Sequence, residues 1–177
     1  MNCIIYNEII DQILDSHKSE LGKYFDQYRN HVYRVYNFAI PHISDIRDLE
    51  TLAIAAAFHD LGIWTSCTFD YLKPSIALAK QYSIDKMLDT EIILDIEIII
   101  DSHHKLTKEK TSKLAEIFRQ ADLVDLSLGL IRKGRDWNAI SSIKKTFPNK
   151  GFHLFLLKLF LKNLFINPLR PLPMYKF

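Results

Sequence analysis

The chain is poor in the residues that mark several special classes of protein. Its 177 residues include only two cysteines, five glycines and six prolines. Cys3 and Cys67 form neither a CxxC pair nor a disulfide framework, so a reducing cytoplasm is the expected location. No glycine-rich phosphate loop, low-complexity linker or internal repeat is present. The formal net charge is only +2 and no dense Lys/Arg cluster occurs, so nucleic acid is not an expected partner. The N-terminal "MNCIIYNEIIDQILDSHK" lacks a basic region, and Asn, Glu and Asp interrupt its apolar residues, so it does not read as a signal peptide.

Long hydrophobic runs are missing too. The most apolar stretch, "FHLFLLKLFLKNLFI" (Phe152–Ile166), is shorter than a membrane span and carries Lys158 and Lys162. These lysines lie four apart on one helical face. The stretch reads as a buried or oligomer-facing helix in preference to a membrane-surface one, which makes a homo-oligomer one expected use of that face.

What is present is core-forming material: 48% of residues are hydrophobic and 25% charged, enough for one domain over 1–177. Nearly every segment has helical period. Ile5, Ile9, Ile13 and Leu14 make a first stripe. "DQYRNHVYRVYNFAI" makes a second and stops at Pro41. "DLETLAIAAAFHD" makes a third, with Asp48 as the expected N-cap and Gly62 as the expected terminator. "FDYLKPSIALAKQY" carries Pro74 early, where a missing N–H does no harm. "MLDTEIILDIEIIIDSHH" is rich in isoleucine, but Ile92, Ile96, Ile99 and His103 share a helical face and no strict alternation appears. "KEKTSKLAEIFRQADLVDLSLGL" and "DWNAISSIKKTF" complete the series before Phe152–Ile166, and the tail "NPLRPLPMYKF" is expected to be extended and packed on the surface. The expected fold is all-α.

Against this background several polar side chains fall on apolar faces. His31 shares a face with Tyr28, Val35 and Phe38. His59 follows Leu52, Ala55 and Ala56, and Asp122 follows Phe118 by one turn. A carboxylate on a core face is costly unless paired or bound to a metal. Arg119 is the nearest candidate partner for Asp122. Inward polar groups on different helices are how bundles assemble metal sites, although a lone inward histidine is more often a satisfied core residue.

The order of these residues, H…HD…D in "RNHVYRVYNFA", "AFHDLGIW" and "FRQADLVDL", resembles the HD-domain superfamily of metal-dependent phosphohydrolases. The resemblance spans roughly residues 20–135, leaving roughly 136–177 as a C-terminal extension. It implies that His31, His59, Asp60 and Asp122 bind a divalent metal in an all-α domain that hydrolyses a small phosphate ester or nucleotide. Two imidazoles and two carboxylates suit Mn, Co, Ni, Fe, Mg or Zn, with room for water. A bound metal would lower the pKa of that water and polarise a phosphoryl oxygen, with Asp60 orienting or deprotonating the water.

Two features depart from the family pattern. A glutamate that serves some HD nucleotidases three residues after the HD pair is Ile63 here. The histidines of two-metal members are missing between Gly62 and Asp101, while His103 and His104 stand together. Adjacent helical residues point about 100° apart, so the pair is not expected to serve one metal equally. His103 is expected to contact phosphate or support the ligands, His104 to lie nearer the surface with a possible substrate contact, and a second metal is the less favoured arrangement. Arg34 and Lys73 are further phosphate-binding candidates, each with a surface role as the alternative. Lys105 could add charge at the site mouth, Asp125 could support the ligands, and Trp64, Phe69 and Tyr71 could form an aromatic wall. His153 belongs to no constellation. A regulatory module that has lost hydrolysis, favoured by Ile63, and a di-iron oxygenase of the HD fold are the alternative functions.

Overall fold

A computed structural model describes residues 3–175, in which helices are the only regular secondary structure. Helix α1 (Glu8–Ser16) begins where the Asn7 side chain accepts a hydrogen bond from the Ile10 amide. It buries Ile10, Ile13 and Leu14. Ile5 precedes the helix and is exposed, so the inward stripe starts later than its periodicity suggests. A short α2 (Lys18–Leu21) and a 3-10 turn lead into α3 (Phe25–Ala39), which is buried on almost every side. Pro41 ends it within a second 3-10 turn.

Helix α4 (Ile46–Phe58) is capped by Asp45, which accepts from the Arg47 amide at 2.9 Å. The expected cap, Asp48, lies in the first turn instead, where a negative charge still complements the helix dipole. The small residues Ala53, Ala55, Ala56 and Ala57 are all fully buried and let α3, α7 and α8 approach α4 closely. Helix α5 (Gly62–Thr65) then turns the chain into α6 (Leu72–Asp85), which packs against α7 (Thr90–Ser102).

The isoleucine-rich segment is thus helical. Ile96, Ile99 and Ile100 face the core, because three-to-four spacing buries them against α4 and α8 (Lys113–Leu126). Ser112 caps α8 by accepting from the Ala115 amide. Helix α9 (Trp137–Thr146) packs on α3, and so does α10 (Phe152–Ile166). Residues 20–135 and the extension thus pack around one core.

Of the two readings of α10, buried or oligomer-facing, burial within the chain does not hold: only Phe152 is buried, and Leu154, Leu157, Leu161, Phe165 and Ile166 are exposed. The tail packs on the surface as expected, with Met174 buried and the Tyr175 ring stacked on His104, but it runs through turns and is not extended throughout. No helix among the described residues is long and apolar enough to cross a membrane.

Candidate metal centre

Four helices bring their inward polar residues to one point. His31 comes from the middle of α3, His59 and Asp60 from the end of α4, His103 and His104 from the end of α7, and Asp122 from α8. The end of α4 is fixed by Tyr28, whose hydroxyl donates to the Ala57 carbonyl (2.9 Å) and accepts from the Asp60 amide (3.2 Å). Gly62 has a different task from the one its position suggests. Its φ is not left-handed, and its amide donates to Ser75 Oγ at 2.9 Å. A Cβ there would sit 2.5 Å from the Tyr71 carbonyl oxygen and 2.9 Å from Ser75 Oγ. The glycine is required by the close approach of α5 to the start of α6, which holds Tyr71 beside the cluster.

The imidazoles are held in defined orientations. His31 Nδ1 donates to Asp125 Oδ2 at 2.7 Å, His59 Nδ1 to the Ala56 carbonyl at 2.8 Å, and His103 Nδ1 to the Ile100 carbonyl at 2.7 Å. With their Nδ1 atoms committed, His31 and His59 turn their Nε2 atoms toward each other, 2.9 Å apart. Two nitrogen lone pairs that close need a cation between them, either a proton or a metal. Asp60 Oδ2 lies 3.6 Å from both nitrogens, and Asp122 Oδ1 lies 3.6 Å from His31 and 3.9 Å from His59.

All these groups are almost fully buried. Burial opposes a charge on His31, but the Asp125 hydrogen bond and the nearby Asp60 and Asp122 carboxylates lift its pKa to about 9. Burial holds His59 down at about 3, reinforced by positive charge on His31 and His103. Burial raises Asp122 to about 6 against the attraction of His103 and His31. Asp60 stays well below the usual carboxylate range because the surrounding imidazoles outweigh its burial. One proton on His31 can bridge the two rings, but it leaves Asp60 Oδ1 and His103 Nε2 buried without hydrogen-bond partners, 3.5 Å apart. This mixed N/O donor set therefore fits a divalent ion.

Ligating atoms of His31, His59 and Asp60 lie within 4.8 Å of one another, and so do those of Asp60, His103 and His104. The two sets share Asp60. The expectation that adjacent histidines diverge applies within a helix, but α7 ends at Ser102 and His104 lies in the turn beyond. Their ring centroids are only 4.1 Å apart. His104 Nε2 hydrogen-bonds the Tyr71 hydroxyl at 2.6 Å, leaving Nδ1 facing Asp122 Oδ2 at 4.0 Å.

The remaining candidates divide sharply. Arg34 is buried behind the cluster, where its guanidinium grips both Asp125 oxygens at 2.6 and 2.9 Å and the Phe147 carbonyl at 3.1 Å. It supports His31 through Asp125 and does not reach outward to a phosphate. Lys73 is exposed and does not line the cavity above the cluster. Arg119 pairs with Glu116, not Asp122, and Lys105 with Glu109. Phe69 and Tyr71 line that cavity, whereas Trp64 stacks on Phe155 beside a different one.

Sequence reasoning missed three contributors. Phe152 stacks on the His31 ring at 4.2 Å, His153 Nε2 donates to the Asp125 carbonyl at 2.8 Å, and Tyr175 covers His104. The first two follow Gly151, whose φ of 92° starts α10 at this angle, and no local pattern ties them to α3 or α8.

Comparison with known proteins yields no family: no family model, curated protein or solved structure matches the chain.

Proposed function

We propose that this chain is a metal-dependent phosphohydrolase of the HD type, acting on a small phosphate ester. The observation that carries the reading is the convergence of His31, His59, Asp60 and Asp122 from three helices, with two Nε2 atoms 2.9 Å apart and both Nδ1 atoms spoken for. A bound divalent ion would supply an acidified water and charge stabilisation at phosphorus. The protein's own groups have distinct tasks. Asp60, held ionised, is a poor base but a good acceptor, and orients the attacking water through Oδ1. His103 Nε2, 3.5 Å from that oxygen and without a partner, faces the same point, and the Asp60 and Asp122 carboxylates raise its pKa despite burial. Water adds to phosphorus, the P–O ester bond breaks, and the leaving oxygen takes up a proton to give the alcohol and inorganic phosphate. The departure at Ile63 fits this division: that side chain is buried among apolar residues and no glutamate is needed there to orient the water.

Metal analysis of purified protein followed by a phosphate-release screen with several divalent ions tests the reading. We expect metal-dependent turnover that is abolished by chelator and by His59→Ala or Asp60→Ala in folded protein. Stoichiometric metal without turnover on any ester would leave the regulatory module instead.

The second donor set favours one further reading, in which Asp60, His103 and His104 would hold a second ion. Two ions per chain support that arrangement, and two irons with no phosphatase activity would point to an oxygenase. One ion per chain rejects both.

A further inference from the structure

The cavity above the cluster has a volume of about 260 Å³, at or just below the small end of ligand-binding pockets. Its floor is His31, Asp60, His104 and Asp122. Its walls and roof are mostly apolar, from Phe69 before α6, Leu126 at the end of α8, Leu156 and Phe160 of α10, and Leu172 and Met174 of the tail. Tyr71, His153 and Tyr175 also line it, but the Tyr71 hydroxyl is hydrogen-bonded to His104 and His153 Nε2 to the Asp125 carbonyl. Among the described residues no lysine or arginine lines it. The basic groups nearest in the sequence of the site are otherwise engaged. Arg34 is locked on Asp125, and Lys105 and Arg119 line an adjoining cavity of about 70 Å³ that shares His104, Asp122, Leu126 and Tyr175 with this one, where they are paired with Glu109 and Glu116. A larger cavity of about 540 Å³ contains Lys23 and Lys162 but none of the cluster residues.

These features bear on the substrate. A polyphosphate chain would bring several negative charges onto a floor that already holds Asp60 and Asp122, with no guanidinium or ammonium lining the cavity and the nearest two, Lys105 and Arg119, already neutralised by Glu109 and Glu116. Because the Tyr71 hydroxyl and both His153 nitrogens are already hydrogen-bonded, a sugar or base would leave most of its hydrogen-bonding groups facing leucine, phenylalanine and methionine, at the cost of their lost hydration. An alkyl or aryl group loses nothing there. Resting on the phosphohydrolase reading, we infer that the substrate is a small phosphate monoester with an apolar body, its phosphate on the His/Asp floor and its hydrocarbon beneath α10 and the tail. The reaction converts R–O–PO₃²⁻ and water into R–OH and hydrogen phosphate. Helix α10 and residues 167–175 are then determinants of specificity.

The test compares binding and turnover in the metal-loaded full chain. Calorimetry with methyl-, butyl- and hexylphosphonate should show affinity rising about three- to fourfold for each methylene that enters the cavity, so hexyl- should exceed methylphosphonate by well over tenfold. Adenosine monophosphate should bind no better than methylphosphonate. Leu156→Asp should collapse the hexyl-to-methyl ratio toward one. Leu156→Trp, which keeps the wall apolar but fills the space, should do the same in a protein with native circular dichroism. A flat phosphonate series, or tighter binding of the nucleotide, overturns the inference even if phosphate release is observed, and the phosphohydrolase reading then stands without it. A steep series with no hydrolysis of hexyl phosphate or any other ester supports the apolar cavity and removes the phosphohydrolase reading.

Discussion

Asp125 shows how much of this centre depends on a residue outside the candidate donor sets. It accepts from His31 Nδ1 and from two nitrogens of Arg34, and these partners hold it far below the usual carboxylate range despite its burial. Such a support fixes the tautomer and direction of a ligating imidazole, and its loss typically costs about 10- to 100-fold in metal affinity or activity. Asp125→Asn should therefore weaken metal binding by about that factor in a metal titration. It should also destabilise the fold by about 3–5 kcal/mol in denaturant unfolding, because the Arg34 charge stays buried without its counterion. The sequence shows Asp125 one turn from Asp122, which marks it as a candidate support. It cannot show that Arg34, 91 residues away, is the counterion.

At the scale of elements, the junctions matter more than the helix interiors. The α4–α5–α6 junction depends on Gly62, where an added Cβ meets backbone as well as a side chain. Gly62→Ala should cost about 1–3 kcal/mol, the usual range for overpacking, measured as a lower midpoint with unchanged m-value. The α7–α8 connection is tied by Glu116, which accepts from Arg119 Nε and Nη2, both at 2.8 Å, and from the Glu109 amide at 2.9 Å. Burial opposes its charge, but these bonds hold its pKa at about 2 against an ordinary 4.5. A carboxylate with a depressed folded pKa binds protons more readily when unfolded. Its stabilisation is therefore complete above about 4.5 and is lost as pH falls toward 2. Melting temperatures of wild type and Glu116→Gln should converge across that window and separate above it. The helices were legible because three-to-four periodicity survives in almost every segment. Their ends were less so: Asp45 and Asp48 are equally good caps by residue type, and the backbone geometry chose the first.

On the scale of the whole molecule, the extension converts an open end of the bundle into a covered cavity. Phe152 stacks on His31, α10 supplies apolar wall, and Met174 and Tyr175 close over it. Truncation after Ile166 removes the buried Met174 side chain, worth about 1.5–3 kcal/mol, and uncovers the cavity. The truncated protein should melt at a lower temperature and bind a hydrophobic dye more strongly than the full chain, with its helical circular dichroism retained. Equal dye binding would show that the tail does not cover the site.

The sequence by itself determined the helical fold and most of the residues that face its core, since periodicity is a property of the chain alone, although Ile5 and the apolar face of α10 stay exposed. It also determined the candidate cluster: His31, His59, Asp60 and Asp122 are polar groups at positions where burial demands a partner. Only the tertiary structure decided which partner each one has. It turned Arg34 inward to Asp125, left Lys73 at the surface, brought His103 and His104 to one carboxylate, and laid the tail over the site. These outcomes depend on distances between segments up to about a hundred residues apart, and spacing within any single helix does not contain them.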